Sequence, residues 1–464
     1  MIVPSEKKEN MKELKVIELD GRTGEGGGQL VRIACALASV VGQPIKINHV
    51  RGNREGPRGG GLKAQHVSAL TWLAKATDAE TSGIAVGSQT VEFRPREGPA
   101  TSRLLDWSKE RANVKIAADS AAASTLLIFQ AVFPFLLYAG NEKGESITIE
   151  ISGGTNVSYS LSFEYLDQVL MPMLETFFGI RVDRTLHSRG WSQGKLQRGT
   201  VTFTIYPLKL GEPLKPRPLT FTPDDREIET IDMTIIAPTD MHEPLRDALL
   251  QDLSDLFPGV ELNVHILEDS ESDSRVYVLL VAHSAGGLRF GRDILSSVPK
   301  AAPTKSSSRS NNKNNKSGAN ASVSTAEKLA RKVSKELFND CTAGGIVDEY
   351  LQDQLVIFQA LAEGQSWFPR TGSAGQDVNT NGSSLTIGTK KSLDDAIADL
   401  NLGSSDDQTS SSLRREQTTE PFGEGSTHAQ TARWVVSLLL PGVKWFNEGK
   451  GCEGVGKVVE RPLK

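Results

Sequence analysis

Val16-Ile17-Glu18-Leu19-Asp20-Gly21-Arg22-Thr23-Gly24-Glu25-Gly26-Gly27-Gly28-Gln29 decides how the rest of the chain is read. A short β-type run containing Val16, Ile17 and Leu19 enters a turn with Gly24, Gly26, Gly27 and Gly28, and Gln29 opens an apolar helix over 29–41. Glycines let a backbone approach a phosphate closely, and a helix N-terminus offers free N–H groups and a positive dipole end. Neither common phosphate fingerprint fits. A Walker loop needs Lys and then Ser or Thr after its last glycine, and the G-x-G-x-x-G spacing fails because Gln29 stands where its last glycine belongs. Two readings stand: a tight strand-to-helix turn, or an anion site of another kind. In the second, Glu25 suits a bound divalent cation.

Outward from this unit, strand-like and helix-like stretches recur in one order. Strand-like 15–19, helical 29–41, strand-like 45–48, helical 65–77 and strand-like 90–94 form a first round. Residues 114–117, 120–138, 147–152, 163–178, 181–186 and 201–206 form a second. A third, interrupted round has helical 326–338 and 348–362, strand-like 384–387 and helical 429–440. The expected fold class is α+β: three repeated βαβαββ modules, each a sheet with two helices, plus a small inserted α/β domain. Modules one and two span 14–210, the inserted domain 211–285, and module three 286–300 with 325–460. Residues 301–324 are rich in Ser, Asn and Lys, and 371–425 in Ser, Thr, Gly, Asp and Asn. Neither stretch buries enough apolar surface to offset chain entropy, so both are expected to be disordered insertions.

The formal net charge of −5 gives no global signal for nucleic acid, so any such contact rests on a local patch. Cys35, Cys341 and Cys452 lie far apart and form no CxxC pair, which fits a reducing compartment. The N-terminus lacks a signal-peptide core, and the apolar run 126–139, carrying Gln130 and Pro134, is too short for a bilayer. The expectation is an intracellular protein, nuclear or cytoplasmic, with no membrane segment.

Several polar residues stand out. Between Lys46 and His66 lie His49, Arg51, Arg54, Arg58 and Lys63 against one acid, Glu55. With glycines throughout and no interleaved aromatics, this is a phosphate clamp or a solvated basic loop. Arg32 in an apolar helix needs an anion or a core carboxylate. Asp353, in Tyr350-Leu351-Gln352-Asp353-Gln354, interrupts an apolar helical face and would add a carboxylate to a metal shared with Glu25, or simply face water. His428 begins a helix with Ser426 or Thr427 as N-cap. A positive helix end favours the neutral, nucleophilic imidazole, although lone histidines near caps are mostly structural.

Taken in order, these segments resemble the RNA 3′-terminal phosphate cyclase family. The resemblance runs from about 14 to 458, outside the two insertions. Its carriers are Asp20 to Gln29 with Arg32, Arg51-Gly52-Asn53-Arg54, Gly61 to His66, Gly87-Ser88, Ile151 to Asn156, Glu349 to Leu355, and Thr427-His428-Ala429-Gln430-Thr431. The resemblance implies that His428 attacks the α-phosphate of ATP, that AMP passes to an RNA 3′-phosphate, and that the 2′-hydroxyl displaces AMP to leave a 2′,3′-cyclic phosphate. It implies nucleotide contacts at Gln130, Tyr350, Leu351, Gln352, Asp353 and Gln354. It further implies phosphate or RNA-end contacts at Arg32, Arg51, Arg54, Gln65 and His66, and Mg²⁺ or Mn²⁺ at Glu25 and Asp353. Departures occur at Val157 to Ser160 and Trp191 to Leu196, at Ala122 or Ala123, and in the longer loop 55–61. They bear on substrate fit more than on reaction type. The alternatives are a non-catalytic cyclase-like factor in ribosomal RNA processing, whose kind lacks the histidine, and a small-molecule transferase of the enolpyruvyl type.

Overall fold

The computed structural model describes residues 14–54, 59–105, 113–296, 316–370 and 423–459. The expected strand at 384–387 lies outside them. The first round becomes β1 (Ile17–Asp20), α1 (Gly28–Val41), β2 (Ile45–Asn48), α2 (Ala64–Ala76), β3 (Glu80–Ser82) and β4 (Val91–Arg94). The sheet order is β1-β2-β4-β3; β1 and β2 are parallel and the other pairs antiparallel.

The second round repeats this arrangement. It comprises β5 (Asn113–Ala117), α3 (Thr125–Leu137), β6 (Ile147–Gly153), a helix built of α4 (Phe163–Tyr165), a π segment (Leu166–Leu170) and α5 (Met171–Phe178), then β7 (Val182–Ser188) and β8 (Gly199–Ile205). Its order is β5-β6-β8-β7, again with only the first pair parallel. Strand β6 alternates buried and half-buried residues along its length, as a sheet with one face on the core requires. Helix α3 is the apolar run singled out above. It starts at Thr125, later than expected, because the Ser124 hydroxyl caps it by accepting from the Leu127 N–H at 3.1 Å.

After the inserted sheet come α8 (Glu349–Leu361), β13 (Glu363–Trp367), α9 (Thr427–Leu439), β14 (Lys444–Phe446) and β15 (Gly451–Val455). The sheet order β13-β15-β14, all antiparallel, matches the last three strands of each earlier sheet. These strands are three to five residues long and rich in Gly and polar residues, so alternation does not reveal them in sequence. Helix α1 packs on α3 and α9, α9 packs on α8, and α2 packs on α3. This helical layer holds much of the core, including Leu30, Val31, Ala34, Leu37, Ile128, Phe135, Leu355, Val435 and Val436.

Between the second and third rounds, β9 (Ile228–Ala237), α6 (Thr239–Leu256), β10 (Glu261–Asp269), β11 (Val276–Ser284) and β12 (Arg289–Ser296) form a sheet of order β10-β9-β11-β12. Helix α7 (Lys316–Thr342) packs on α6, β11 and β12. Strand β12, assigned from sequence to module three, is therefore hydrogen-bonded into the inserted sheet through β11. Helix α7 also begins within the stretch 301–324 expected to lack structure. Its buried residues Ala326, Ala330, Val333 and Leu337 recur every three or four positions, and this face seats it on the sheet.

One buried carboxylate ties this part to the third round. Asp348 caps α8 by accepting from the Leu351 N–H (2.8 Å), and also accepts from the Tyr165 hydroxyl (2.7 Å) and the Gly291 N–H (2.8 Å). Loss of a cap costs about 1 kcal/mol, and each buried donor left unpaired costs about 1–3 kcal/mol. Asp348→Ala should therefore destabilise the chain by about 3–7 kcal/mol in urea unfolding, against a change within about 0.5 kcal/mol for an exposed control such as Asp255→Ala.

Candidate active site

His428 is the second residue of α9. Ser426 caps that helix, its hydroxyl accepting from the Ala429 N–H at 3.2 Å. The imidazole Nδ1 lies 2.7 Å from Gln29 Oε1, and Gln29 Nε2 donates to Asp353 Oδ2 at 3.0 Å. A carboxylate only accepts, so Gln29 turns its NH₂ to Asp353 and its oxygen to the ring. Nδ1 must then carry the ring proton, and the lone pair sits on Nε2. Burial lowers the His428 pKa; the Asp353 carboxylate opposes this, while Arg32 and Arg54 add to it. The ring is neutral at pH 7, and 48% of the side chain is exposed, so a reactant can reach it.

The chain of bonds continues inward. Asp353 Oδ1 accepts from Gln354 Nε2 (2.5 Å), Gln354 Oε1 accepts from Gln130 Nε2 (2.6 Å), and Gln130 Oε1 accepts from Arg32 Nε (2.6 Å). Four helices contribute: α9 gives His428, α1 gives Gln29 and Arg32, α8 gives Asp353 and Gln354, and α3 gives Gln130. Burial raises the Asp353 pKa, an effect offset in part by His428, the Gln354 amide, Arg32 and the Gln29 amide.

A cradle of N–H donors, of the kind that could take an anion, lies beside this chain. Arg32 is half-buried, and its desolvation pushes its pKa down to about 10. On α2, His66 Nδ1 accepts from the Lys63 N–H at 3.0 Å, so Nε2 bears the proton, and that buried Nε2 has no partner. Burial, reinforced by Arg32, Arg51 and Lys63, keeps His66 neutral. A Cβ added at Gly28 would stand 2.5 Å from His66 Nε2 and 2.9 Å from Arg32 Nη1. Only glycine leaves that space open, at the N-terminus of α1, beside two N–H donors. Arg51, at φ 55°, donates to the Gly59 and Gly61 carbonyls at 2.7 and 3.2 Å, which holds the glycine-rich loop against this pocket.

Glu25 comes within 4.0 Å of His428 Nδ1 through its Oε2, a buried oxygen with no hydrogen-bond partner, while its Oε1 pairs with Arg54. Its backbone N–H donates to the Thr431 hydroxyl at 2.9 Å. Among the described residues no group of three or more His, Cys, Asp or Glu side chains is arranged to hold a metal. Mg²⁺ ordinarily uses one or two carboxylates plus substrate phosphates, and the free Glu25 oxygen fits that pattern. Asp353 fits less well, because each of its oxygens already accepts from an amide.

The remaining expected residues lie around this centre. Gln65 sits half-buried on the first turn of α2. Gln352 is buried with its Oε1 unpaired, against Gly425. The Tyr350 ring lies under Arg292 at 4.5 Å, and Leu351 is a core residue. Sequence reasoning quoted Gln29 and Thr431 without assigning either a task. It also passed over the supports of the site. Arg370 pairs with Asp340 (3.0 Å) and Glu349 (3.8 Å). Glu424 is held to the loop 447–450 by its N–H to the Glu448 carbonyl (2.7 Å) and its carboxylate to Lys450 (3.1 Å). The Phe368 N–H donates to the Lys450 carbonyl at 2.9 Å, and buried Arg433 donates to the Glu424 and Gly449 carbonyls.

The fold and this site define an α+β protein with a helix-borne imidazole near a donor-lined cradle. A family model described as RNA 3′-terminal phosphate cyclase matches residues 23–384. The chain belongs to that family. Among its relatives, an RNA 3′-terminal phosphate cyclase of Methanosarcina mazei is 29% identical over 375 residues, covering 76% of this chain and 90% of the relative. One of Thermococcus sibiricus is 28% identical over 75% of this chain and 87% of its own length. One of Drosophila melanogaster is 27% identical over 79% and 89%. The family match ends ahead of His428, so the geometry above is what joins that histidine to Glu25, Gln29 and Asp353 within the matched residues.

The electrostatics give a testable sign. Chemistry that needs a neutral His428 should fall off on the acid side with a midpoint below 6.5, the ordinary histidine value. Arg54 depresses that pKa, so Arg54→Ala should move the acid limb to higher pH. The measurement is the rate of covalent labelling by ATP between pH 4.5 and 8.

Proposed function

We propose that the chain converts an RNA 3′-phosphate into a 2′,3′-cyclic phosphate at the expense of ATP, through a covalent intermediate on His428. The observation that carries the reading is the ordered chain Asp353–Gln29–His428, which leaves the Nε2 lone pair free on a neutral ring that feels the charges of Arg32 and Arg54. Family membership supports cyclase activity with ATP as co-substrate.

The steps follow from the groups available. Nε2 attacks the α-phosphorus of ATP, an N–P bond forms, the bond to the β-phosphate oxygen breaks, and pyrophosphate leaves. The Asp353–Gln29 pair keeps the Nδ1 proton in place and offsets the positive charge that grows on the ring. An oxygen of the RNA 3′-phosphate then attacks the same phosphorus, and the N–P bond breaks to restore neutral His428. A phosphate monoester is a poor electrophile because it must expel oxide or hydroxide; AMP supplies a workable leaving group. Finally the 2′-hydroxyl oxygen attacks the RNA terminal phosphorus, its proton passes to solvent, and AMP departs.

Arg32, the His66 Nε2–H and the α1 N-terminus are assigned to the phosphates, with Arg51 shaping the loop and Arg54 and Gln65 toward the RNA end. Gln130 and residues 350–354 are assigned to the nucleotide side, with Leu351 contributing core packing. Glu25 would hold a Mg²⁺ or Mn²⁺ ion, which draws charge from a triphosphate. Asp353, its oxygens engaged by amides, acts chiefly on His428. The presence of His428 in this network weighs against the non-catalytic reading.

With α-labelled ATP and Mn²⁺, the wild-type chain should acquire an acid-labile, alkali-stable label, and His428→Ala should acquire none. Label surviving in His428→Ala sinks the nucleophile assignment. An RNA 3′-phosphate should become phosphatase-resistant only with ATP. Glu25→Ala should slow labelling at least about 10-fold and raise the Mn²⁺ needed for half-maximal rate; wild-type metal dependence would remove Glu25 from the metal site.

A further inference from the structure

The two groups that matter most in this site come from distant parts of the chain. Glu25 lies in the β1–α1 loop and His428 on α9, and their side chains approach to 4.0 Å. Something must fix that spacing, because both the loop and the start of α9 are short, glycine-flanked segments. The Glu25–Arg54 pair acts on the Glu25 side chain alone, and the Gln29 amide acts on the ring alone.

One buried hydroxyl touches both backbones. Thr431 is fully buried, one turn along α9 from Thr427. Its Oγ1 accepts from the Glu25 N–H at 2.9 Å and donates to the Thr427 carbonyl at 2.7 Å. The first contact holds the Gly24–Glu25 peptide, and the second holds the Thr427–His428 peptide. The loop is shaped to permit it: Gly24 has φ 61°, and a Cβ there would stand 2.2 Å from Thr431 Oγ1. A threonine hydroxyl that bonds the carbonyl four residues back usually serves only its own helix. Here its acceptor side is filled by a residue 406 positions away in sequence.

We infer that Thr431 is a positioning residue for the proposed reaction: its hydroxyl locks the peptide before His428 to the peptide before the Glu25 side chain. The inference rests on the function proposed above and adds a residue to it. Thr431 touches no reacting atom. It acts by holding the nucleophile in register with the loop that faces the bound phosphates, so its loss should be felt in the chemical step rather than in ATP binding.

The test is self-adenylylation by the full chain, with rate measured against ATP concentration. Thr431→Val keeps the shape and removes the hydroxyl; Thr431→Ser keeps the hydroxyl. Thr431→Val should lower the maximal labelling rate by about 10- to 100-fold with the half-saturating ATP concentration within about 2-fold of wild type. Thr431→Ser should label within about 3-fold of wild type. A purely structural role would give a lower melting temperature and a smaller active fraction, with the surviving molecules labelling at the wild-type rate. Should Thr431→Val fold poorly, Thr431→Ala against Thr431→Ser makes the same comparison. A wild-type rate per active molecule in the hydroxyl-free variant, or a Thr431→Ser variant as slow as it, overturns the inference while leaving His428 in place. A wild-type chain that forms no adduct overturns the histidine reading and this inference with it.

Discussion

A carboxylate that can only accept hydrogen bonds dictates the rest of the site. Asp353 takes amide protons from Gln29 and Gln354, and that fixes which way each amide faces. Gln29 must then present oxygen to His428, and the ring must put its proton on Nδ1. Gln354 must accept from Gln130, and Gln130 from Arg32. The tautomer of an imidazole on one helix thus follows from a half-buried carboxylate on another. Nothing in this chain of bonds tolerates one member turning over, because each reversed amide would oppose donor to donor or acceptor to acceptor.

Three helix N-termini stand around the cradle, and their orientation adds to the same field. The N-terminal ends of α1, α2 and α9 bring Gly28, His66 and His428 together. Each adds partial positive charge to the pocket, and each disfavours a protonated imidazole. Burial acts on both histidines in the same direction. Neutral rings, one donating and one bearing a lone pair, are therefore the natural state of this pocket.

Much of the fold was legible in the sequence because long apolar helices and alternating strands carry strong signals. The first two rounds, the buried α3 run and the Ser426 cap follow from periodicity and capping chemistry. The third sheet did not, since Glu363–Trp367 and Gly451–Val455 are short and glycine-containing. Strand β12 belongs to the inserted sheet through pairing partners that no local pattern specifies. In the site, glycines, arginines and His428 announce themselves by type. Gln29 and Thr431 do not, because an amide beside a glycine loop and a threonine inside a helix are unremarkable until the fold sets them opposite residues hundreds of positions away. Asp353 was legible as an odd polar residue on an apolar face, but its closest engagement, with amides, depends on geometry.

The segment between Arg370 and Gly423 leaves and re-enters the folded body at two fastened points. Arg370 is held by Asp340 and Glu349, and Glu424 by Glu448, Lys450 and Arg433. Phe368 bonds to the same Lys450, so both fastenings share one turn between β14 and β15. The chain just ahead of His428 is thus anchored to the folded body by contacts of its own, through Glu424 to Glu448, Lys450 and Arg433.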